Sequence, residues 1–279
     1  MLRRALSALL LGTSLGLAAL TGPAVAQSAS VPPPDIAARS WFLFDVTTNT
    51  VLYSQTPDER VEPASLTKLM TAYVVFEALR DGTLKPDARP PVSNRAYKSA
   101  GSRMFVDPRS PATVDELLHG LIIQSGNDAA IILAEAVAGS EEQFAEQMNA
   151  EARRLGMKNS HFVNASGLPA PDHYSSARDM AVLATRIIKE FPQYYRLYSE
   201  REYTFNGVRQ PNRNRLLAID PSVDGMKTGF TDAAGYCLVA SAHREQKNAT
   251  DPQGSQFSRR ILSVLLGASS DATRATESQ

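Results

Sequence analysis

Ser65-Leu66-Thr67-Lys68 follows Pro63-Ala64 at the head of a segment that reads as a helix from about Ser65 to Arg80, ended by Asp81-Gly82. A serine that opens a helix faces free backbone N–H groups and the positive end of the helix dipole. A lysine three residues on shares its face. The serine hydroxyl is a poor nucleophile until a base removes its proton. Lysine is that base only if burial or a second cation lowers its pKa, and Lys227 is the candidate cation. Two further motifs follow in order, Ser125-Gly126-Asn127 and Lys227-Thr228-Gly229, and each of these patterns occurs once in the chain.

Taken singly, each motif has a plain structural explanation. Ser65 could cap its helix, Asn127 could cap the next one in a polar turn, and Lys227 could sit on a surface β-turn. Taken as an ordered set they supply the parts of an acyl-transfer serine enzyme that works without histidine. Ser65 is the nucleophile and Lys68 its base. Ser125, in a tight connection where Gly126 tolerates unusual backbone angles, relays a proton between Lys68 and a leaving amine. Asn127 offers a donor and an acceptor to a peptide-like substrate. Lys227-Thr228-Gly229 precedes the apolar strand 236–242, whose edge an extended peptide can join, and Lys227 and Thr228 can bind a terminal carboxylate.

Outward from the motifs, Trp41 to Phe44 and Val51 to Tyr53 read as a hairpin. Thr113-Val114-Asp115-Glu116 is a capping box that opens a helix to about Gln124. Helices follow over 128–137, 141–155 and 176–190. Strand character returns over 202–205, 225–229, 236–242 and 261–266, with residues 245–258 reading as a polar loop. Strands at both ends around a helical middle predict an α+β fold: an antiparallel sheet with helices on its faces and an all-helical insertion.

The chain has 279 residues, 29 basic and 29 acidic, so it carries no basic footprint for nucleic acid. Arg3 and Arg4, an apolar run from Ala5 to Leu20 and Ala24-Val25-Ala26 read as a secretory signal peptide over residues 1–26. Residues 27–279 then form one catalytic domain, exported to the periplasm or the outer face of the cytoplasmic membrane. Cys237 lies in an apolar run and reads as a buried small hydrophobe. His119, His161, His173 and His243 show no metal-ligand spacing, so neither a metal nor another cofactor is expected. Tyr194, Tyr195 and Tyr198 read as packing residues, and Asn248-Ala249-Thr250 has the form of a glycosylation acceptor.

The wording around the motifs resembles the low-molecular-mass penicillin-binding proteins, serine-type D-alanyl-D-alanine carboxypeptidases of the peptidase S11 kind. The similar segments are 63–71, Gly101-Ser102-Arg103-Met104-Phe105, 124–129, 161–169 and 224–229. The resemblance implies a β-lactamase/transpeptidase-like fold. It implies that Ser65 is acylated by the penultimate D-Ala carbonyl of a peptidoglycan stem pentapeptide, and that β-lactams acylate the same serine. Lys68, Ser125, Asn127, Lys227, Thr228 and Gly229 complete the site. The backbone N–H groups of Ser65 and Phe230 form the oxyanion hole, and Arg274 helps bind the substrate carboxylate. Some members carry His where this chain has Phe230. The family usually continues into a small β-rich domain and an amphipathic helix that lies on the membrane. With the chain stopping at Gln279, membrane contact is expected only through a C-terminal region absent here. Two alternatives remain at this point. A β-lactamase would need a deacylation base, for which Glu146-Gln147-Met148-Asn149 has the form but reads as a solvated helical face. A non-catalytic penicillin-binding sensor would keep the fold and lose turnover.

Overall fold

The hairpin near the start and three strands near the end share one sheet. Strands β1 (Ser40–Asp45) and β2 (Thr50–Gln55) form the hairpin; β3 (Glu202–Phe205) and β4 (Val208–Pro211) form a separate small ribbon; β5 (Val223–Thr231), β6 (Gly235–Lys247) and β7 (Gln256–Ala268) complete the main sheet. Its order is β2-β1-β7-β6-β5, every neighbouring pair antiparallel, which leaves β5 as a free edge. The computed structural model describes residues 32–247 and 256–279, and Asp35–Gln279 forms one compact unit. The leader reading over residues 1–26 and the Asn248 acceptor lie outside the described residues.

The helices are α1 (Thr67–Arg80), α2 (Asn94–Tyr97), α3 (Val114–His119), α4 (Asn127–Ala138), α5 (Glu141–Leu155), α6 (Ala177–Glu190), α7 (Pro192–Tyr195), α8 (Leu216–Ile219) and α9 (Asp271–Thr276). Side chains along β6 alternate between two apolar layers. Cys237 and Val239 enter the main core with α1 and α6, while Leu238 and Ala240 pack with Leu216 of α8 and Ala275 of α9. Helices therefore cover both faces of the sheet, and α2 to α5 form the helical insertion. This is the expected α+β architecture.

Residues 67–76 of α1 are all buried, as in a helix that is apolar all round. This helix is the axis on which the insertion meets the sheet. The Thr113 capping box is present, with Glu116 N–H donating to Thr113 Oγ1 (3.1 Å) and Thr113 N–H to Glu116 Oε2 (2.7 Å). The Tyr cluster packs as read: Tyr194 stacks on Phe76 at 4.7 Å, and Tyr195 and Tyr198 are buried. Cys237 is buried as well.

Three expectations need adjustment. The helix does reach Gln124 as expected, but it is α-helical only to His119 and widens to a π turn over Gly120–Gln124. The supposed loop 245–258 is strand at both ends, with Glu245 opposite Ser258 and Lys247 opposite Gln256. Backbone ladder bonds extend that ribbon without any apolar face, so no alternation marks it. Strand β4 was not foreseen, although Asn206-Gly207 joins it to β3 with both residues at positive φ (48° and 77°), a tight hairpin turn.

His173 shows how the interior supports α1. Its Nδ1 accepts from Val163 N–H (3.0 Å), so Nε2 carries the proton toward Thr67 Oγ1 (2.8 Å). Burial, with His161 adding a little, lowers its pKa from 6.5 to about 4. The unfolded chain therefore binds a proton on this side chain between pH 6.5 and 4 that the folded chain does not. The stabilisation is complete above pH 6.5 and is lost as pH falls toward 4. We predict that His173 alone removes about 3 kcal/mol across that window. Urea unfolding of the parent and His173→Gln at a series of pH values checks this, and parallel curves for the two proteins would contradict it.

Candidate active site

Ser65 does not cap α1. It lies in a 3-10 turn, Ala64–Leu66, that feeds straight into the helix, and neither element has a side-chain cap. Ala64 sits at φ +47°, a left-handed conformation that costs a non-glycine residue about 1–2 kcal/mol. Two glycines hold the turn in place by letting backbone come close. A Cβ on Gly167 (φ +81°) would overlap the Ala64 carbonyl, and one on Gly229 would lie 3.1 Å from Pro63 O and from Ser65 N. Strand β5 is thus pressed against the nucleophile turn.

Lys68, 1% exposed, is one turn along. Its Nζ is 3.1 Å from Ser65 Oγ, 2.7 Å from Asn127 Oδ1 and 2.6 Å from the Ser166 carbonyl. Burial, followed by repulsion from Arg213 and opposed by Asp128, lowers its pKa from 10.5 to about 7. A lysine with that pKa is neutral in a large fraction of molecules at neutral pH and can accept the Ser65 proton. The cation pressing on it is Arg213, where the sequence pointed to Lys227. Lys227 is itself buried, and burial, then Lys68, Arg213 and Arg274, holds its amine well below the usual lysine range.

Ser125 ends the π turn at φ +65°. The unusual backbone falls on Ser125 and not on Gly126, which is extended. Lys227 Nζ donates to Ser125 Oγ (2.9 Å) and to the Thr228 carbonyl (3.0 Å). Among the described residues Ser125 is bonded to Lys227 and not to Lys68. Lys227-Thr228-Gly229 lies inside β5, in the strand character read over 225–229, and the free edge beside it is that of β5 and not of β6. The Asn127 side chain is held on both sides, by Lys68 through Oδ1 and by the Ala100 carbonyl through Nδ2 (2.7 Å).

These groups border a groove of about 200 Å³, whose wall includes Ser65, Asn127, Thr228, Gly229, Phe230 and Arg274. Gly101, Ser102, Arg213, Thr231 and the segment Ser166–Leu168 complete its lining. Lys227, Ser125 and Lys68 are buried and do not line the groove, whereas Arg274 does, its Nη1 donating to the Gly229 carbonyl (3.0 Å) and its guanidinium pairing with Asp271. Phe230 is 48% exposed on the rim and stacks against Tyr236 at 4.3 Å.

Three participants were invisible at the sequence level. Arg213 donates to Ser102 Oγ (2.9 Å) and Gln124 O (3.2 Å), but it sits in a run of Asn and Arg with no motif form. Ser166 contributes a carbonyl, a group every residue has. Asp128, next to Asn127, is fully engaged by backbone N–H groups of residues 104–106. By contrast, the Glu-x-x-Asn of α5 lies away from the groove: Glu146 is exposed, and Asn149 clamps the Phe162 backbone at 2.7 and 2.8 Å.

Known proteins resemble the chain in sequence and in fold. The family model for D-alanyl-D-alanine carboxypeptidases (peptidase S11) matches residues 26–251. The chain is 43% identical to the D-alanyl-D-alanine carboxypeptidase DacC of Escherichia coli over 98% of its own length and 68% of the relative's. It is 38% identical to DacA of Haemophilus influenzae over its whole length and 69% of that protein, so it spans about two thirds of these relatives. Penicillin-binding protein 5 of Haemophilus influenzae superposes with a TM-score of 0.81 at 41% identity, covering 89% of this chain and 70% of that one. Penicillin-binding protein D2 of Listeria monocytogenes, solved in its ampicillin-bound form, gives a TM-score of 0.76 at 29% identity over 88% and 96% of the two chains. With this sheet, these motifs and these relatives, the chain belongs to the D-alanyl-D-alanine carboxypeptidase family of serine-type peptidases.

Proposed function

We propose that the chain removes the terminal D-Ala from peptidoglycan stem peptides through an acyl-enzyme on Ser65, and that β-lactams acylate the same residue. The observation that carries this is the Lys68 amine, buried, depressed toward neutrality and bonded to Ser65 Oγ at 3.1 Å. Ser65 Oγ attacks the penultimate D-Ala carbonyl while its proton passes to Lys68. The developing oxyanion is met by the N–H groups of Ser65 and Phe230, two residues that line the same groove where β5 presses on the Ser65 turn. Collapse breaks the C–N bond; the departing D-Ala nitrogen takes the Ser125 hydroxyl proton, and the proton held by Lys68 returns to Ser125 before the next step. Lys227 donates to Ser125 Oγ, so the serine's own O–H is left to point at that nitrogen. Water then cleaves the ester with Lys68 again as base. The leaving residue's carboxylate lies against Thr228 and Arg274. Arg274 keeps N–H donors beyond those already used, since guanidinium has five. The leader-like pattern of residues 1–26 supports export to the compartment where this substrate is found.

Loss of the Ser65 oxygen should abolish both D-Ala release and covalent penicillin labelling in Ser65→Ala. Nucleophile removal in another serine hydrolase costs about 10⁶ in kcat. Persistence of either activity would remove Ser65 from this role.

The rate constant for penicillin acylation should rise about tenfold per pH unit below neutrality and level off above a midpoint near 7, as Lys68 loses its proton. Replacing the nearby cation in Arg213→Gln should move that midpoint upward, because the Lys68 ammonium is then less destabilised. A midpoint that stays put or falls would contradict the electrostatic account.

Carboxylate docking is separable from proton transfer. Arg274→Gln should lower kcat/KM about 10- to 100-fold on diacetyl-Lys-D-Ala-D-Ala. It should do much less to the C-terminally amidated analogue, whereas Lys227→Ala should damage both alike. Equal loss on both substrates in Arg274→Gln would contradict the docking role.

A further inference from the structure

The loop that borders the groove continues past it. Gly101 and Ser102 line the groove, and the next residues reach a shallow hollow of about 230 Å³ bounded by Tyr97, Arg103, Phe105, Asp107 and Asp128. Consecutive residues at the start of α4 fix the two parts. Asn127 holds Ala100 O through Nδ2 and Ser102 O through its own N–H, both at 2.7 Å. Asp128 accepts from the N–H groups of Met104 (2.9 Å), Phe105 (2.8 Å) and Val106 (3.2 Å). A carboxylate that is 1% exposed is thus committed to shaping three successive backbone positions.

The product of that clamp is an aromatic ring turned outward. Phe105 is held at φ +65° and is 58% exposed. A bulky residue is poorly suited to the left-handed region, and strain of this kind clusters at ligand sites. The Arg103 guanidinium lies 4.8 Å over the Phe105 ring and donates to the Tyr97 carbonyl (2.9 Å). Tyr97 is 49% exposed beside it. Two exposed aromatic rings and an arginine form one shelf, next along the loop that borders the groove. Such a shelf suits a ligand with an apolar ring face and polar substituents, and arginine suits hydroxyl and N-acetyl oxygens.

The substrate proposed for the groove carries such a ligand. Ser102, on the groove, and Phe105, on the shelf, are three residues apart, at most about 11 Å of chain. In a stem peptide, four residues separate the attacked carbonyl from the sugar, about 14 Å when extended. A sugar at that distance from the groove is within reach of the shelf. The geometry points to a glycan subsite: Tyr97, Arg103 and Phe105 bind the N-acetylated amino sugar that carries the stem peptide. This rests on the carboxypeptidase reading of the groove.

The test compares kcat/KM for D-Ala release from a disaccharide-pentapeptide and from the free pentapeptide of the same sequence. The parent should favour the glycan-bearing substrate about tenfold, mainly through KM. Tyr97→Ala and Phe105→Ala should erase that preference while leaving the free peptide's kcat/KM and the penicillin-labelling rate unchanged; Phe105→Tyr should retain it. Equal efficiency of the parent on both substrates, or a preference that survives both alanine variants, would overturn the subsite. So would equal loss on both substrates in Phe105→Ala, which would mean that the ring only supports the loop around Asn127. Absence of release from either substrate by the parent would instead remove the reading of the groove, and the subsite with it.

Discussion

A lysine amine with almost no access to water is the constraint on which the rest of this structure depends. Burying Lys68 is tolerable only because three oxygen atoms surround its Nζ: Ser65 Oγ, Asn127 Oδ1 and the Ser166 carbonyl. They come from the turn before α1, the start of α4 and the loop before α6. Each must be placed to within a few tenths of an ångström, so the packing of insertion against sheet is what sets the chemistry. Removing water also gives the amine its function. The interior disfavours the ammonium, Arg213 disfavours it further, and a group that is ordinarily a cation becomes a base.

The site is also where the backbone departs from relaxed geometry. Ala64 and Ser125 are both in the left-handed region, one beside the nucleophile and the other carrying the hydroxyl that faces Lys227. Each is held by rigid neighbours: Gly167 and Gly229 around the first, the π turn from Gly120 before the second. The large core, in which ten consecutive residues of α1 are buried, supplies the stability that pays for this strain. The same clamp of Asn127 and Asp128 on residues 100–106 joins the groove to the aromatic shelf, so the loop that borders the nucleophile and the loop that presents Phe105 are one element.

What could be read from sequence follows the range of the interactions. Ser65 and Lys68 were legible because one helical turn fixes their relation locally. Thr113 and Glu116 were legible for the same reason, and the sheet followed from apolar strands at the two ends of the chain. Groups that act through backbone or across long separations were not. The Ser166 carbonyl has no residue signature. Arg213 is 145 residues from Lys68 in sequence (213 minus 68) and reaches it only through the fold. Lys227 reads in the sequence as a cation near Lys68 and a group for a terminal carboxylate; its burial and its bond to Ser125 depend on how β5 meets the π turn. The ribbon at the far ends of β6 and β7 was missed because its residues are mostly polar and show no apolar alternation.

The most direct measurement is the titration of the Lys68 amine in the folded protein. NMR of protein labelled at the lysine side chains, with the resonance assigned by its disappearance in Lys68→Arg, would follow it. The account predicts a midpoint near 7. A Lys68 resonance that remains that of an ammonium up to pH 10, in protein still able to react with penicillin, would contradict it and leave Ser65 without its base.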